Sequence, residues 1–293
     1  MKDYMNYQNK VCVVTGASSG MGKATVEILV DLGAEVYALD LNECPVKGIE
    51  KYIPTHLANK DSIEKAFYNI PEHIDCFFGI AGLSGAKTDY MTTFNVNYTA
   101  NVFIAETYLK ERMSDGGSIL FVTSTAGVAW RENREECNQV FGIKDWDTIQ
   151  RKMSQIIPQG TPAQMAYMYS KRLANAYCCQ LSVELGTRHI RVNAILPGST
   201  DTGMKDEFAK MAGGLDNMIK FAGLAGRLAT SQEMGEPIVF LNSDMATFIS
   251  GEEIIIDFCD NAMKKLNLKP EMCGGPAILD EATLMQLMQQ MKS

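Results

Sequence analysis

Tyr167 and Lys171 stand four residues apart in a stretch, 163–186, that reads as helix, so the two side chains share one face. An ammonium beside a phenol favours the phenolate, whose ordinary pKa is about 10, and this makes Tyr167 a candidate proton acid and base. Taken alone, such a pair also describes an exposed helix surface. Its position sets it apart. It follows Ser124, which ends the predicted strand GSILFVTS at a sheet end where doubly wound folds bind ligands. The Ser124 hydroxyl can hold a substrate oxygen as that oxygen gains or loses its proton. Asn97 is a poor helix former inside an otherwise good helix, which marks it as a candidate for a polar task.

A second set of residues suits a dinucleotide. The first predicted strand runs into Thr15-Gly16-Ala17-Ser18-Ser19-Gly20-Met21-Gly22 and then into a helix. Helix N-terminal amides at such a turn bind a pyrophosphate, and small residues let the backbone approach it. Gly16, Ser18, Ser19, Gly20, Met21 and Gly22 are therefore candidate cofactor contacts, although a glycine turn can equally be only a tight corner. Asp40 closes the second predicted strand eighteen residues after Gly22, where a carboxylate accepts hydrogen bonds from ribose hydroxyls and repels a 2′-phosphate. Leu41 supplies no positive charge, so NAD(H) is expected over NADP(H); Lys23, at the helix start, suits either.

These residues need a scaffold. Runs rich in β-branched residues at 10–15, 35–40, 51–56, 75–80, 117–124, 190–195 and 253–257 alternate with helical text at 20–32, 61–69, 92–112, 163–186, 204–221 and 231–242. That alternation predicts an α/β fold: a Rossmann-type, doubly wound parallel sheet of seven strands in a single domain. Residues 1–262 form the expected catalytic domain. It is interrupted at about 129–161 by an insertion too long for a simple connection and expected as a lid or pocket wall. Residues 263–293 form a C-terminal extension, where Leu284, Leu287, Met288 and Met291 predict an amphipathic helix seeking a partner surface.

Composition excludes several function classes. The 293 residues are 46% apolar and 21% charged with a net charge of −8, which suits a large core and offers no basic run to a nucleic acid. No stretch approaches the ~18 continuous apolar residues of a membrane span, and the polar start is no signal peptide, so a cytoplasmic protein is expected. Eight cysteines and three histidines match no metal-ligand spacing, and the thiols read as reduced core filler.

Taken in order, the glycine turn, Asp40, Asn97, Ser124, Tyr167-x-x-x-Lys171 and Pro197-Gly198 resemble the short-chain dehydrogenase/reductase family over about residues 8–260. The resemblance implies that Tyr167 exchanges the proton, and that Lys171 binds the nicotinamide ribose and lowers the tyrosine's pKa. It further implies that Ser124 positions the substrate oxygen and Asn97 holds a water in the proton relay. It adds Leu57, Ala81, Gly82, Pro197, Gly198, Thr200 and Thr202 to the cofactor contacts, with Thr202 at the carboxamide. Ser124 and Tyr167 are forty-three positions apart, against about a dozen in most members. That insertion, Ala81-Gly82-Leu83 and the stretch Ile256 to Met263 are similar to bacterial 3α-hydroxysteroid dehydrogenases. Two departures stand out: Gly79-Ile80 replaces the usual Asn-Asn, and His56 replaces the aspartate that meets adenine.

The implied activity is NAD-dependent, reversible oxidation of a secondary alcohol on a bulky apolar substrate, a steroid or bile acid first among them and at its 3-position. Trp130, Met153, Ile156, Ile157 and Pro158 in the insertion, and Met204, Phe208, Met211, Met218 and Phe221 beyond it, are available to line the pocket; Trp130 and Met204 are the expected substrate contacts. A reductase of a terpenoid or another carbonyl, and a non-catalytic NAD-binding sensor, stay open as alternatives. The two long helices are expected to offer apolar faces to a homodimer or homotetramer.

Overall fold

The computed structural model describes residues 4–220, 222–270, 273–280 and 282–285. Seven strands, β1 (Val11–Thr15), β2 (Glu35–Asp40), β3 (Lys51–Pro54), β4 (Ile74–Gly79), β5 (Met113–Val122), β6 (Arg191–Pro197) and β7 (Glu253–Ile256), form one sheet in the order β3-β2-β1-β4-β5-β6-β7. Every pairing is parallel. The chain winds outward in both directions from between β1 and β4, so a crevice opens above the carboxyl ends of these central strands.

Strand side chains alternate between two cores, as a sheet covered on both faces requires. Val13, Phe77, Ile119 and Phe121 point to one side, against the helical segment 90–112 and the helix Ala163–Leu185. Cys12, Val14, Phe78, Leu120 and Val122 point to the other, against Gly20–Asp31 and Ser231–Asn242. The segment 90–112 passes through two π-helical turns, Asn95–Thr99 and Ala105–Leu109, and the first carries Asn97. The helix expected over 204–221 is two helices, Lys205–Met211 and Leu215–Lys220, separated where Gly213 and Gly214 take φ of +78° and +127°. Phe221 lies outside the described residues.

The insertion is not a lid. Its helix Trp146–Ile156 buries Trp146, Ile149 and Met153, and Cys137 and Val140 join the same core. Trp146 meets Phe103 edge to face at 5.7 Å, and Gln150 exchanges amide hydrogen bonds with Asn95 at 2.7 and 3.2 Å. The expectation of a pocket wall fails because this periodic apolar face found a helix to cover rather than a cleft to line. It also covers part of the surface that the segment 90–112 was expected to offer a second copy. Residues 273–280 return over the protein, burying Ala277 and Leu279, and Leu284 is buried as well; Leu287, Met288 and Met291 lie outside the described residues. The expected domain limit at 262 falls inside the helix Asp260–Lys265.

Two glycines of the first turn have no substitute. Gly16 has φ of +72° and meets Ala81, while a Cβ on Gly22 would stand 1.9 Å from the Gly16 carbonyl oxygen. Gly22→Ala must therefore push the turn apart at a cost of about 3 kcal/mol. The expected outcome, read by thermal melting and NADH titration, is a lower melting temperature together with lost cofactor binding.

Candidate active site

The turn after β1 is held from two sides. The Thr15 hydroxyl accepts the amides of Ile80 and Ala81 at 3.1 and 3.4 Å, which ties it to the end of β4. Asp40 Oδ2 accepts the Ser18 amide at 3.0 Å and Oδ1 the Asn42 amide at 3.1 Å, so the carboxylate is aimed beside the turn. Ser19 opens the helix Gly20–Asp31 without a side-chain cap, and the first turn holds no acid. Its amides are thus left for an anion, which is what a pyrophosphate needs.

A cleft of about 450 Å³ opens here, lined by Gly16, Ser18 to Gly22, Asp40, Leu41, Leu57, Ala81, Gly82, Thr202 and Met204. Among the described residues, no lysine or arginine lines it. Lys23 is turned away in an ion pair with Glu27 at 2.7 Å. His56, which stands where the resemblance implies an aspartate, lines the cleft too, and its Nδ1 accepts the Ala58 amide at 3.2 Å. Thr55, Thr88, Thr92 and Val96 also line the cleft, and no local pattern in the sequence announces them.

A second lobe of about 250 Å³ continues from the first and shares Met21, Ile80, Gly82, Thr202 and Met204 with it. Ser124, at the end of β5, and Tyr167 and Lys171, one turn apart on Ala163–Leu185, meet in it. Pro197, Gly198 and Thr200, from the end of β6, complete the same wall. Tyr167 is hydrogen-bonded with Ser124; burial nevertheless pushes its hydroxyl up to about 12. Lys171 is 4% exposed, and burial brings its ammonium down to about 8. Lys171 Nζ donates to the Val122 carbonyl at 3.0 Å and lies 5.7 Å from the centre of the Tyr167 ring.

Asn97 lies behind this group. Its side chain donates to the Leu83 carbonyl at 2.9 Å and accepts the Leu83 amide at 2.8 Å, which fixes the loop after β4. A Cβ on Gly82 would lie 3.4 Å from Asn97 Oδ1 and 3.5 Å from Lys171 Nζ, so the three residues converge. Glu207, on Lys205–Met211, is hydrogen-bonded to Ser84 and pairs with Lys87 at 2.8 Å, which bridges that loop to the helix roofing the cleft.

Met204, Phe208 and Met218 line the second lobe, and Phe208 meets the Tyr167 ring edge to face at 5.4 Å. Trp130 does not line it. Its indole N–H donates to Glu253 at 2.7 Å, and its ring packs in the core under Arg131, because a partner for the indole was available away from the cleft. Met153 is likewise in the core, Ile156 and Ile157 pack against it, and Met211 is exposed. Cys273, from the C-terminal extension, lines the lobe instead, and no spacing rule reaches across about a hundred residues to find it.

No helix among the described residues is long and apolar enough to cross a membrane, and no group of three His, Cys, Asp or Glu there can hold a metal ion. The short chain dehydrogenase family model matches residues 10–134, and that of enoyl-(acyl carrier protein) reductase matches 153–258. Coniferyl-alcohol dehydrogenase of Pseudomonas sp. (strain HR199 / DSM 7063) is 30% identical over 257 residues, covering 86% of this chain and 97% of that protein. The 3beta-hydroxysteroid dehydrogenase of Mediterraneibacter gnavus is 26% identical, covering 86% and 94%. Among solved structures, the 3-alpha-hydroxysteroid dehydrogenase of Pseudomonas sp. B-0831, complexed with NADH, superposes with a TM-score of 0.70 at 22% identity, over 89% of this chain and all of that one. Identity of 30% sustained over nearly the whole of such a relative, with the family model over residues 10–134, means that the chain belongs to the short-chain dehydrogenase/reductase family of oxidoreductases, which bind a nicotinamide dinucleotide.

Proposed function

We propose that this protein is a reversible, NAD(H)-dependent dehydrogenase of a secondary alcohol on a bulky apolar substrate, a hydroxysteroid oxidised at its 3-position. The carrying observation is the second lobe, where Ser124, Tyr167 and Lys171 face a wall of Met204, Phe208, Ala212 and Met218. Among the described residues its one cation is Lys171, which is committed to the Tyr167 side, so a neutral, apolar alcohol or ketone suits the space. The hydroxysteroid dehydrogenases among the relatives support the substrate class. The coniferyl-alcohol dehydrogenase supports a second reading, an aromatic or terpenoid alcohol in the same lobe. The same reading takes the protein as a cytoplasmic homo-oligomer, and none of its eight cysteines forms a disulfide.

NAD+, when bound, supplies the hydride acceptor. Ser124 holds the substrate oxygen and Tyr167 takes its proton on oxidation or returns it on reduction. Lys171, held through Val122, keeps positive charge beside the phenol and donates toward the ribose. The Asn97 side-chain amide is spent on Leu83, so the reading gives the relay water to its main-chain carbonyl, inside the π-helical turn Asn95–Thr99, which also accepts Asn101 Nδ2 at 3.4 Å.

The assay offers 3-, 7-, 12-, 17- and 20-hydroxysteroids, bile acids and coniferyl alcohol with NAD+ and then NADP+, and reads absorbance at 340 nm. Turnover of one steroid position supports the first reading, and turnover of coniferyl alcohol alone replaces it with the second. Cofactor choice has its own test. Asp40→Asn keeps an acceptor for the Ser18 amide and removes the charge that repels a 2′-phosphate. The ratio of kcat/KM for NADP+ over NAD+ is expected to rise about a hundredfold, and an unchanged ratio would sink the role given to Asp40.

A further inference from the structure

Arg172 follows Lys171 in the chain and is completely buried although charged. Its Nη1 pairs at 2.8 Å with Oε2 of Glu136, on the insertion helix Arg134–Cys137. Beside a contact of Arg172 Nη2 with Met168 Sδ at 3.6 Å, four further hydrogen bonds of this pair reach one stretch of main chain. Arg172 Nη2 donates to the carbonyls of Cys273 and Gly275 at 2.6 and 2.5 Å. Glu136 Oε1 accepts the amide of Ala277 at 2.6 Å and that of Ile278. A buried ion pair survives only where other polar groups share the burden of desolvation, and here the C-terminal extension provides them. The dependence is mutual, because the same contacts seat that extension. Its residue Cys273 then stands in the wall of the lobe that Tyr167 faces.

We propose that the Glu136–Arg172 pair is a positioning latch that seats residues 273–278 as a wall of the substrate lobe, so that Cys273 limits which alcohols reach Tyr167. This rests on the proposed function, since it takes that lobe as the seat of the substrate. It also gives the insertion a task other than a lid: it carries the carboxylate that anchors the extension. Glu136 and Arg172 touch no reacting atom and act through the segment they hold.

The test uses Glu136→Gln in the full chain, which keeps the shape and an acceptor for the two amides but removes the charge opposite Arg172. Androsterone and cyclohexanol serve as bulky and small alcohols with NAD+, and alkylation of Cys273 by iodoacetamide, followed peptide by peptide in a mass spectrometer, reads the position of the wall. Alkylation is expected to quicken and the KM for androsterone to rise, each at least about tenfold, with kcat changed no more than about threefold. A folded variant in which either the alkylation rate or that KM stays within about twofold of the parent overturns the proposal. Should the variant not fold, Cys273→Phe decides. It is expected to lower the ratio of kcat/KM for androsterone over cyclohexanol at least about tenfold, and a ratio within about twofold overturns the proposal. If the parent protein oxidises neither alcohol, the proposed function fails, while the alkylation comparison still reports on the latch.

Discussion

Tyr167→Phe is expected to lose about 10³-fold or more in kcat while binding NADH within about twofold of the parent. The substitution removes only the hydroxyl. The ring keeps its edge contact with Phe208, and the glycine turn, Asp40 and Thr202 are untouched in the neighbouring lobe. What disappears is the group proposed to carry the proton and its hydrogen bond with Ser124. The measurement pairs steady-state turnover of whichever alcohol the parent oxidises with a fluorescence titration of NADH. Undiminished turnover would place the chemistry on another group. A parent that binds NADH but turns over no alcohol or ketone would favour an NAD-binding sensor.

Lys171→Met is expected to abolish turnover and yet stabilise the cofactor-free protein at pH 7 by roughly 1–2 kcal/mol. Burial lowers the ammonium from its ordinary 10.5 to about 8, so at pH 7 the folded protein bears the cost of an enclosed charge that the unfolded chain does not. Methionine fills similar space without the charge, and the unpaired Val122 carbonyl offsets part of the gain. The sign with pH follows from linkage. Between about 8 and 10.5 the unfolded chain binds the proton that the folded protein has released, so the parent gains stability as pH rises and the variant's advantage shrinks. Melting curves from pH 7 to 10.5 read this directly, and an advantage that widened with pH would contradict the assignment. In the parent, kcat/KM for carbonyl reduction should fall above pH 8 as the charge beside Tyr167 is lost.

Tyr167 and Lys171 were legible as a candidate pair because residues four apart share a helix face, and Ser124 because it ends a strand ahead of them. That the lysine is buried was not legible, since the same spacing also describes an exposed helix surface. The glycine turn was legible because its demands are largely local: Gly16 takes a φ of +72°, and Gly22 packs on the Gly16 carbonyl six residues before it. Asn97 was readable as a polar anomaly, but its partner was not. Only the fold shows that both ends of its amide are taken by Leu83.

The sequence by itself determined the seven strands, their doubly wound class and the glycine turn and Asp40 at one part of the cleft, because period-2 alternation, β-branched runs and strand-to-helix glycine turns are local consequences of backbone geometry. The tertiary structure alone decided what the apolar faces cover. Periodicity states that Trp146, Ile149 and Met153 share a buried face, not that the face lies on the segment 90–112 instead of over the cleft. Trp130 left the pocket because Glu253, far along the chain, offered its indole a partner. Arg172 holds its place through Glu136, thirty-six residues before it, and Cys273, a hundred and one residues after it. Hydrophobic burial is non-directional, and a buried charge accepts any well-placed partner, so which surfaces and charges meet is fixed only when the chain has closed on itself.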